Sequence, residues 1–283
     1  MKVNSVIYFF SLIFLLLFYS CANETSDFKT EILSTETQDE QNFQDELKAA
    51  YDSNKVEGCF AFLNDQDNKW QMHNPASCAI PRIPASTFKI FNSLVSLEFR
   101  VVKDENEILK WDGVKRRVDA WNADSDMKTA MKNSTLWFYQ EMARRVGKEK
   151  MKKMMDACNY GNADTSGAID KFWLTGGLKI SAVEQINFLK KLQEEKLPFS
   201  KNTMQTVKKM MINEESPTYV LRGKTGWAIG ESEQVGWYVG YLQKGKNNYY
   251  FANCVRCTDT LNDKFGSCRK EIAKNVLKKL RLL

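Results

Sequence analysis

The 283-residue chain reads as a mixed α/β (α+β) fold, one central antiparallel sheet flanked by helices. Three observations predict it. Strand signals cluster at both ends of the chain, near residues 56–73 and again between 218 and 255. The stretch from 104 to 215 carries helical periodicity instead. The tail repeats Ile272, Val276 and Leu280 at helical spacing, so a closing helix covers one face of the sheet. N-terminal and C-terminal strands with helices between them suggest one antiparallel sheet with helices on both faces.

The first 46 residues are not part of that body. Lys2 precedes the apolar run Val6 to Tyr19, which is short for a membrane span and reads as a signal sequence ending near residue 21. Cys21 follows at once in Phe18-Tyr19-Ser20-Cys21, a position that suits lipidation of an exported lipoprotein in the periplasm; the alternative is an ordinary secretory signal cut nearby. Residues 22–46 hold eight acids against the single Lys29, a composition of a flexible acidic tether that builds no core. Residues 47–283 are expected to form the folded body.

Within the body, Phe43, Leu47 and Tyr51 recur every four residues and predict an opening helix. Two strands follow near 56–63 and 69–73, joined by the turn Asn64-Asp65-Gln66-Asp67. Ile83 and Pro84 lead into a helix from Ser86 to about Phe99. Further helices are expected over Ser134 to Arg145 and Ala182 to Glu194. The last strands are Thr218 to Lys224, Gln234 to Gln243 and Asn248 to Val255, with Gly245-Lys246-Asn247 as the final turn. In the middle one Val235, Trp237, Val239 and Tyr241 alternate.

The whole chain carries a net charge of +6; without Lys2 and a tether of net −7 the body stands at +12. Its lysines are dispersed and no basic motif is interleaved with aromatics. That pattern describes a solvated surface with an attraction for small anions, and no nucleic-acid partner. Of seven cysteines, Cys59 and Cys78 would approach one another if 56–73 folds as a hairpin, and an oxidising compartment would permit a disulfide. Cys254 and Cys257 form Cys-x-x-Cys with Cys268 nearby, but zinc would need a fourth ligand and His73 is the only histidine, so no metal is expected.

The motif that carries chemistry is Pro84-Ala85-Ser86-Thr87-Phe88-Lys89-Ile90. Residues three apart on a helix share a face, so the Ser86 hydroxyl and Lys89 amine would meet one turn apart. Serine is a weak nucleophile until a base takes its proton. A Ser-His-Asp triad would have to use His73, in the polar segment Met72-His73-Asn74-Pro75, and the chain has no Gly-x-Ser-x-Gly elbow. Lys89 is the nearest candidate base. Phe88, Ile90, Phe91, Leu94 and Val95 make its surroundings apolar, and burial lowers an amine's pKa.

Together with the distant Lys224-Thr225-Gly226, this motif resembles the signature of penicillin-recognising serine enzymes. From about Val56 to the C-terminal helix the chain resembles the class D serine β-lactamases, or oxacillinases. Ser134-Thr135-Leu136 resembles their Ser-x-Val element, with the larger Leu136 where valine is more frequent. Tyr160-Gly161-Asn162, Phe172-Trp173-Leu174 and Lys224-Thr225-Gly226-Trp227 match further elements, and Arg269 in Gly266-Ser267-Cys268-Arg269-Lys270 sits where the family holds a substrate carboxylate.

The resemblance implies a β-lactamase/transpeptidase-like fold and a β-lactam hydrolase conferring antibiotic resistance through a serine acyl-enzyme. Ser86 would be the nucleophile and Lys89, as N6-carboxylysine, the base in both half-reactions; carbon dioxide or bicarbonate is needed for that and no other cofactor. Trp173 would donate to the carbamate. Ser134 and Lys224 would move a proton to the leaving nitrogen. The backbone N–H groups of Ser86 and Trp227 would hold the oxyanion. Thr225 and Arg269 would hold the carboxylate, with Gly226, Trp227 and Leu136 lining the cleft. Two other readings share the motif: a β-lactam sensor that retains the acyl group, and a peptidoglycan peptidase, against which Phe172-Trp173-Leu174 argues. The lifetime of the acyl adduct separates them.

Overall fold

The computed structural model describes residues 41–230, 232–259 and 261–283. The expected signal sequence, Cys21 and the tether as far as residue 40 lie outside the described residues. The chain divides into two units, Met1–Glu46 and Leu47–Leu283. In the first, residues 41–46 are helical rather than a continuation of the tether, and Gln41 donates to Asp45 across one turn at 2.8 Å. The second unit contains everything below.

It opens with helical residues 47–53 (α1), whose Leu47 and Tyr51 are buried. Strands β1 (Glu57–Asn64) and β2 (Lys69–His73) form the expected hairpin, with Phe60 opposite His73 and Asn64 opposite Lys69. Asn64 and Asp67 shape its turn by accepting from the backbone N–H groups of Gln66 and Lys69. The short helix α2 (Pro75–Cys78) leads to a 3-10 turn at Ala85–Phe88 and helix α3 (Lys89–Glu98). Four helices follow the long loop: α4 (Met127–Asn133), α5 (Leu136–Val146), α6 (Lys148–Cys158) and α7 (Ala182–Gln193). Then come α8 (Lys201–Met210), β3 (Ile212–Glu215), β4 (Val220–Ile229), β5 (Gln234–Lys244), β6 (Asn247–Cys257) and α9 (Phe265–Lys279).

The six strands pair antiparallel throughout in the order β2-β1-β6-β5-β4-β3. β1 and β6, from opposite ends of the chain, lie side by side, with Phe60 opposite Asn253. Val235, Trp237, Val239 and Tyr241 alternate into one core, which also takes Phe88, Phe91 and Leu189 of α3 and α7. The residues between them turn the other way: a Cβ on Gly236 would meet Phe265 of α9. Helices therefore cover both faces, and β5 is buried on both sides through Leu242. α9 docks by burying Phe265, Ile272, Val276 and Leu277, each contributing roughly 1.5–3 kcal/mol.

Four expectations need correction. Ser86 lies in the 3-10 turn, three residues before the α-helix that begins at Lys89. Ser134 is not helical; it caps α4 in the left-handed region, and α5 starts two residues later. β4 does not stop at Lys224 but runs to Ile229, because pairing with β5 overrides the weak strand propensity of Gly223 and Gly226. The Cys59–Cys78 bridge is not formed: both are free, buried thiols, with Cys78 Sγ donating to the His73 carbonyl at 3.6 Å and Cys59 opposite Cys254. Cys254 and Cys257, three apart on one strand, point to opposite faces and do not converge.

Candidate active site

The site forms where the 3-10 turn, the end of α4 and the inner face of β4 meet. Ala85 enters the turn at φ 49, a left-handed value that a β-carbon disfavours. Its N–H donates to the Trp173 carbonyl at 3.0 Å, and Thr87 Oγ1 donates to the Pro84 carbonyl at 2.8 Å while accepting from Gln185 of α7 at 2.9 Å. These bonds hold Ser86 against β4, where Gly226 has no side chain for a reason: a Cβ there would lie 2.8 Å from the Pro84 carbonyl oxygen.

Lys89 Nζ donates to Ser86 Oγ at 2.8 Å. The amine is 1% exposed, and burial lowers its pKa from 10.5 to about 7. The Tyr139 ring of α5 lies 5.3 Å from it. Trp173 stacks on Phe88 at 5.1 Å, and its indole Nε1 is buried without an acceptor. An orphaned buried N–H is rare and points to a missing acceptor. The Tyr160-Gly161-Asn162 segment secures this loop: Asn162 donates to the Gly177 carbonyl and accepts from Lys179 N–H, both at 2.9 Å. Gly161 sits at φ 53, and a Cβ would come within 2.1 Å of the Lys179 carbonyl oxygen.

Across the cleft, Lys224 Nζ donates to Ser134 Oγ in a short contact and to the Thr225 carbonyl at 3.2 Å. Ser134 holds φ 55, ψ 37, the kind of backbone strain that a functional side chain sustains. Burial holds Lys224 well below the ordinary lysine value, with Lys89, Arg269 and Lys270 adding repulsion. Leu136, partly buried, stands at the start of α5 beside Ser134.

Arg269 of α9 donates to the Gly226 carbonyl and, at 2.9 Å, to that of Gly266; burial lowers its pKa to about 10. Thr225 shares the α9 face of β4 with Trp227, by the alternation that sends Lys224 and Gly226 inward. Among the described residues no ion pair involves Lys89, Lys224 or Arg269. Two buried amines, one on each serine hydroxyl, and the partly buried Arg269 guanidinium leave the cleft with nitrogen donors for an anion. Beyond Gly223 the outer edge of β4 pairs with no described strand, leaving backbone groups for a ligand. A cavity of about 630 Å³ lies at the end of β4, lined by Ile83, Leu174, Ile229 and Val235 and by the charged Arg82, Lys179 and Glu233. His73 lies on β2, three strands removed from β4, stacked on Tyr51.

Residues 29–278 match the penicillin binding protein transpeptidase domain family. Over 235 residues the chain is 40% identical to beta-lactamase OXA-48 of Klebsiella pneumoniae, spanning 83% of this chain and 88% of that one. This chain belongs to the class D β-lactamase family. A probable beta-lactamase, YbxI of Bacillus subtilis, is 39% identical over 242 residues, 86% of this chain and 85% of that one. The solved class D beta-lactamase from Sebaldella termitidis superposes with a TM-score of 0.81 at 40% identity, covering 84% of this chain and 96% of its own. The class D YbXI from Nostoc gives 0.80 at 41% identity, covering 84% and 99%. Class D β-lactamases are hydrolases acting on cyclic amides.

Of the residues the motifs single out, the structure joins Ser86 to Lys89, Ser134 to Lys224, and Arg269 to Gly226 and the Trp227 ring, whereas Thr225 and Trp227 lie on the α9 face of β4, opposite Lys224. Motif reading missed the supports of this candidate site. Tyr139 Oη pairs with Ser93 at 2.9 Å, and Asn92 donates to the Tyr139 carbonyl at 3.0 Å. The signal was present: Asn92, Ser93 and Ser96 interrupt an apolar helix, and buried polar groups need partners. Gln185 on α7 had no comparable signal.

Proposed function

We propose that the chain hydrolyses β-lactams through a covalent acyl-enzyme on Ser86. The observation that carries this is the 2.8 Å contact between Ser86 and a buried lysine whose pKa lies near 7. The residues fit a carbamate on Lys89: an amine that loses its proton near neutrality, and an indole N–H of Trp173 that lacks an acceptor. Such a group, formed from carbon dioxide and the neutral amine with loss of a proton, supplies an oxygen base there.

Ser86 Oγ bonds to the lactam carbonyl carbon as its proton leaves toward Lys89. The backbone N–H groups of Ser86 and Trp227 receive the oxyanion. As the C–N bond breaks, Ser134 passes a proton to the nitrogen, and Lys224, bonded to Ser134, resupplies it. Thr225 and Arg269 hold the substrate carboxylate, which suits a planar fork with donors to spare. Water then attacks the ester, and Ser86 recovers its proton. The cavity beside Leu174 and Ile229, lined also by Arg82, Lys179 and Glu233, takes the acyl side chain. We further propose export to the periplasm, with Cys21 as a lipidated N-terminus, and no nucleic-acid partner; among the described residues no helix is long and apolar enough to cross a membrane. Mass analysis of the mature N-terminal peptide tests the lipid.

Penicillin turnover followed by intact-mass analysis tests the central reading. A short-lived adduct of penicillin mass is expected on the wild-type chain and none on Ser86→Ala. A persistent adduct would favour the sensor or peptidase readings, and an adduct on the Ser86→Ala chain would overturn the nucleophile.

A further inference from the structure

The contacts behind Trp227 end on a side chain that no motif contains. Gln234 opens β5 and is 1% exposed. Both ends of its amide are used: Oε1 accepts from Trp227 Nε1 at 3.0 Å, and Nε2 donates to the Asp259 carbonyl at 2.8 Å. A buried amide with its acceptor and donor claimed by two different elements has one orientation.

Trp227 needs such a tether. It is 36% exposed at the cleft edge, and an indole there is free to turn its N–H toward water. Its ring packs on Phe265 at 5.6 Å between centroids, and the Arg269 guanidinium lies 5.2 Å over the ring. A Cβ at Gly266 would come within 3.3 Å of the ring, so α9 also approaches it closely. Cation–π attraction requires the cation over the face, so the plane of the ring decides where the guanidinium sits.

We propose that Gln234 is a positioning residue for the carboxylate seat: it fixes the plane of Trp227, and Trp227 in turn fixes the Arg269 guanidinium. Gln234 does not touch the substrate. Its effect therefore falls on binding of β-lactams that carry a carboxylate and spares those that do not. This inference rests on the reading of Arg269 as the carboxylate clamp.

The test is a double-mutant cycle in the full chain with Gln234→Leu, Trp227→Phe and both together. KM and kcat are measured for a penicillin and for a β-lactam lacking an acidic group at that position. Trp227→Phe keeps a ring for Arg269 and Phe265 but loses the N–H. Gln234→Leu should raise the penicillin KM about two- to tenfold, the effect of one neutral hydrogen bond, with kcat within about twofold. The carboxylate-free substrate should show no change. In the Trp227→Phe background Gln234→Leu should add little, because the N–H it holds is already gone. Gln234→Met, of equal length, repeats the measurement if the leucine chain does not fold. An unchanged penicillin KM, equal losses on both substrates, or full additivity would overturn the proposal. A wild-type chain that turns over penicillin while Arg269→Ala leaves its KM unchanged would overturn the clamp reading and the inference with it. Failure of the wild-type chain to turn over either substrate would overturn the hydrolase reading itself, and the inference too.

Discussion

Activity should fall steeply as pH drops below neutrality, and it should fall further when carbon dioxide is removed. The perturbation is a pH series run in bicarbonate-saturated and in stripped buffer. Its magnitude comes from Lys89. Burial lowers that amine to about 7, and only the neutral form adds carbon dioxide. The neutral fraction is roughly 90% at pH 8 and roughly 10% at pH 6, so carbamate loading should drop about ninefold across that window and about tenfold per unit below it. Stability has the same sign. Below the unfolded pKa of 10.5 the unfolded amine is charged, while the folded amine gives up its proton down to about 7. The unfolded state binds more protons in that window, so the folded state gains stability as pH rises from 7 to 10.5. The assay is kcat for a penicillin alongside a carbon-13 NMR spectrum of enzyme in labelled bicarbonate. A carbamate resonance should grow from pH 6 to pH 8 in step with kcat. Full activity in stripped buffer at pH 8, or no resonance in a fully active sample, would refute the carbamate and return the task of base to the bare amine.

Lys89→Met should abolish turnover yet stabilise the fold, because at pH 7 the depressed pKa costs about 4 kcal/mol; urea unfolding in stripped buffer measures the gain, and a lower midpoint would refute the burial argument. Arg269→Ala should raise KM for penicillins more than it lowers kcat, with about ten- to a hundredfold lost in kcat/KM from one charge-assisted bond, and Arg269→Lys should restore only part; steady-state kinetics on substrates with and without the carboxylate checks it. Trp173→Phe keeps the stacking on Phe88 and removes the N–H, so deacylation should slow more than acylation and the bicarbonate requirement should rise, both read from single-turnover adduct lifetimes. Ser134→Gly should remove the proton relay while relaxing the φ 55 backbone, a gain of about 1 kcal/mol in thermal unfolding against a lowered kcat.

Much of this protein was legible in the sequence because its signals are local. The hairpin over Glu57–His73 follows from alternation and Asx turn residues, and the capping box that starts α7 at Ser181 and Glu184 is written within four residues. Ser86 and Lys89 meet through local helical geometry, so their contact needed no tertiary information. The convergence of Ser134, Lys224, Thr225 and Arg269 was legible only as a pattern, since nothing local brings residues 134, 224 and 269 together. What the tertiary structure alone decided is where regular structure gives way. Ser134 leaves its helix because α4 must end where Lys224 can reach it, and β4 continues past Gly226 because β5 supplies its partners. The lowered pKa of Lys89 arises from burial, to which the Tyr139 ring of α5, fifty residues away in sequence, contributes. The hydrogen bond from Trp227 to Gln234 spans the β4–β5 turn between residues that carry no recognisable spacing. Apolar periodicity and turn chemistry act within a few residues, whereas desolvation and strain are properties of the packed whole, and the chemistry of this site depends on the second kind.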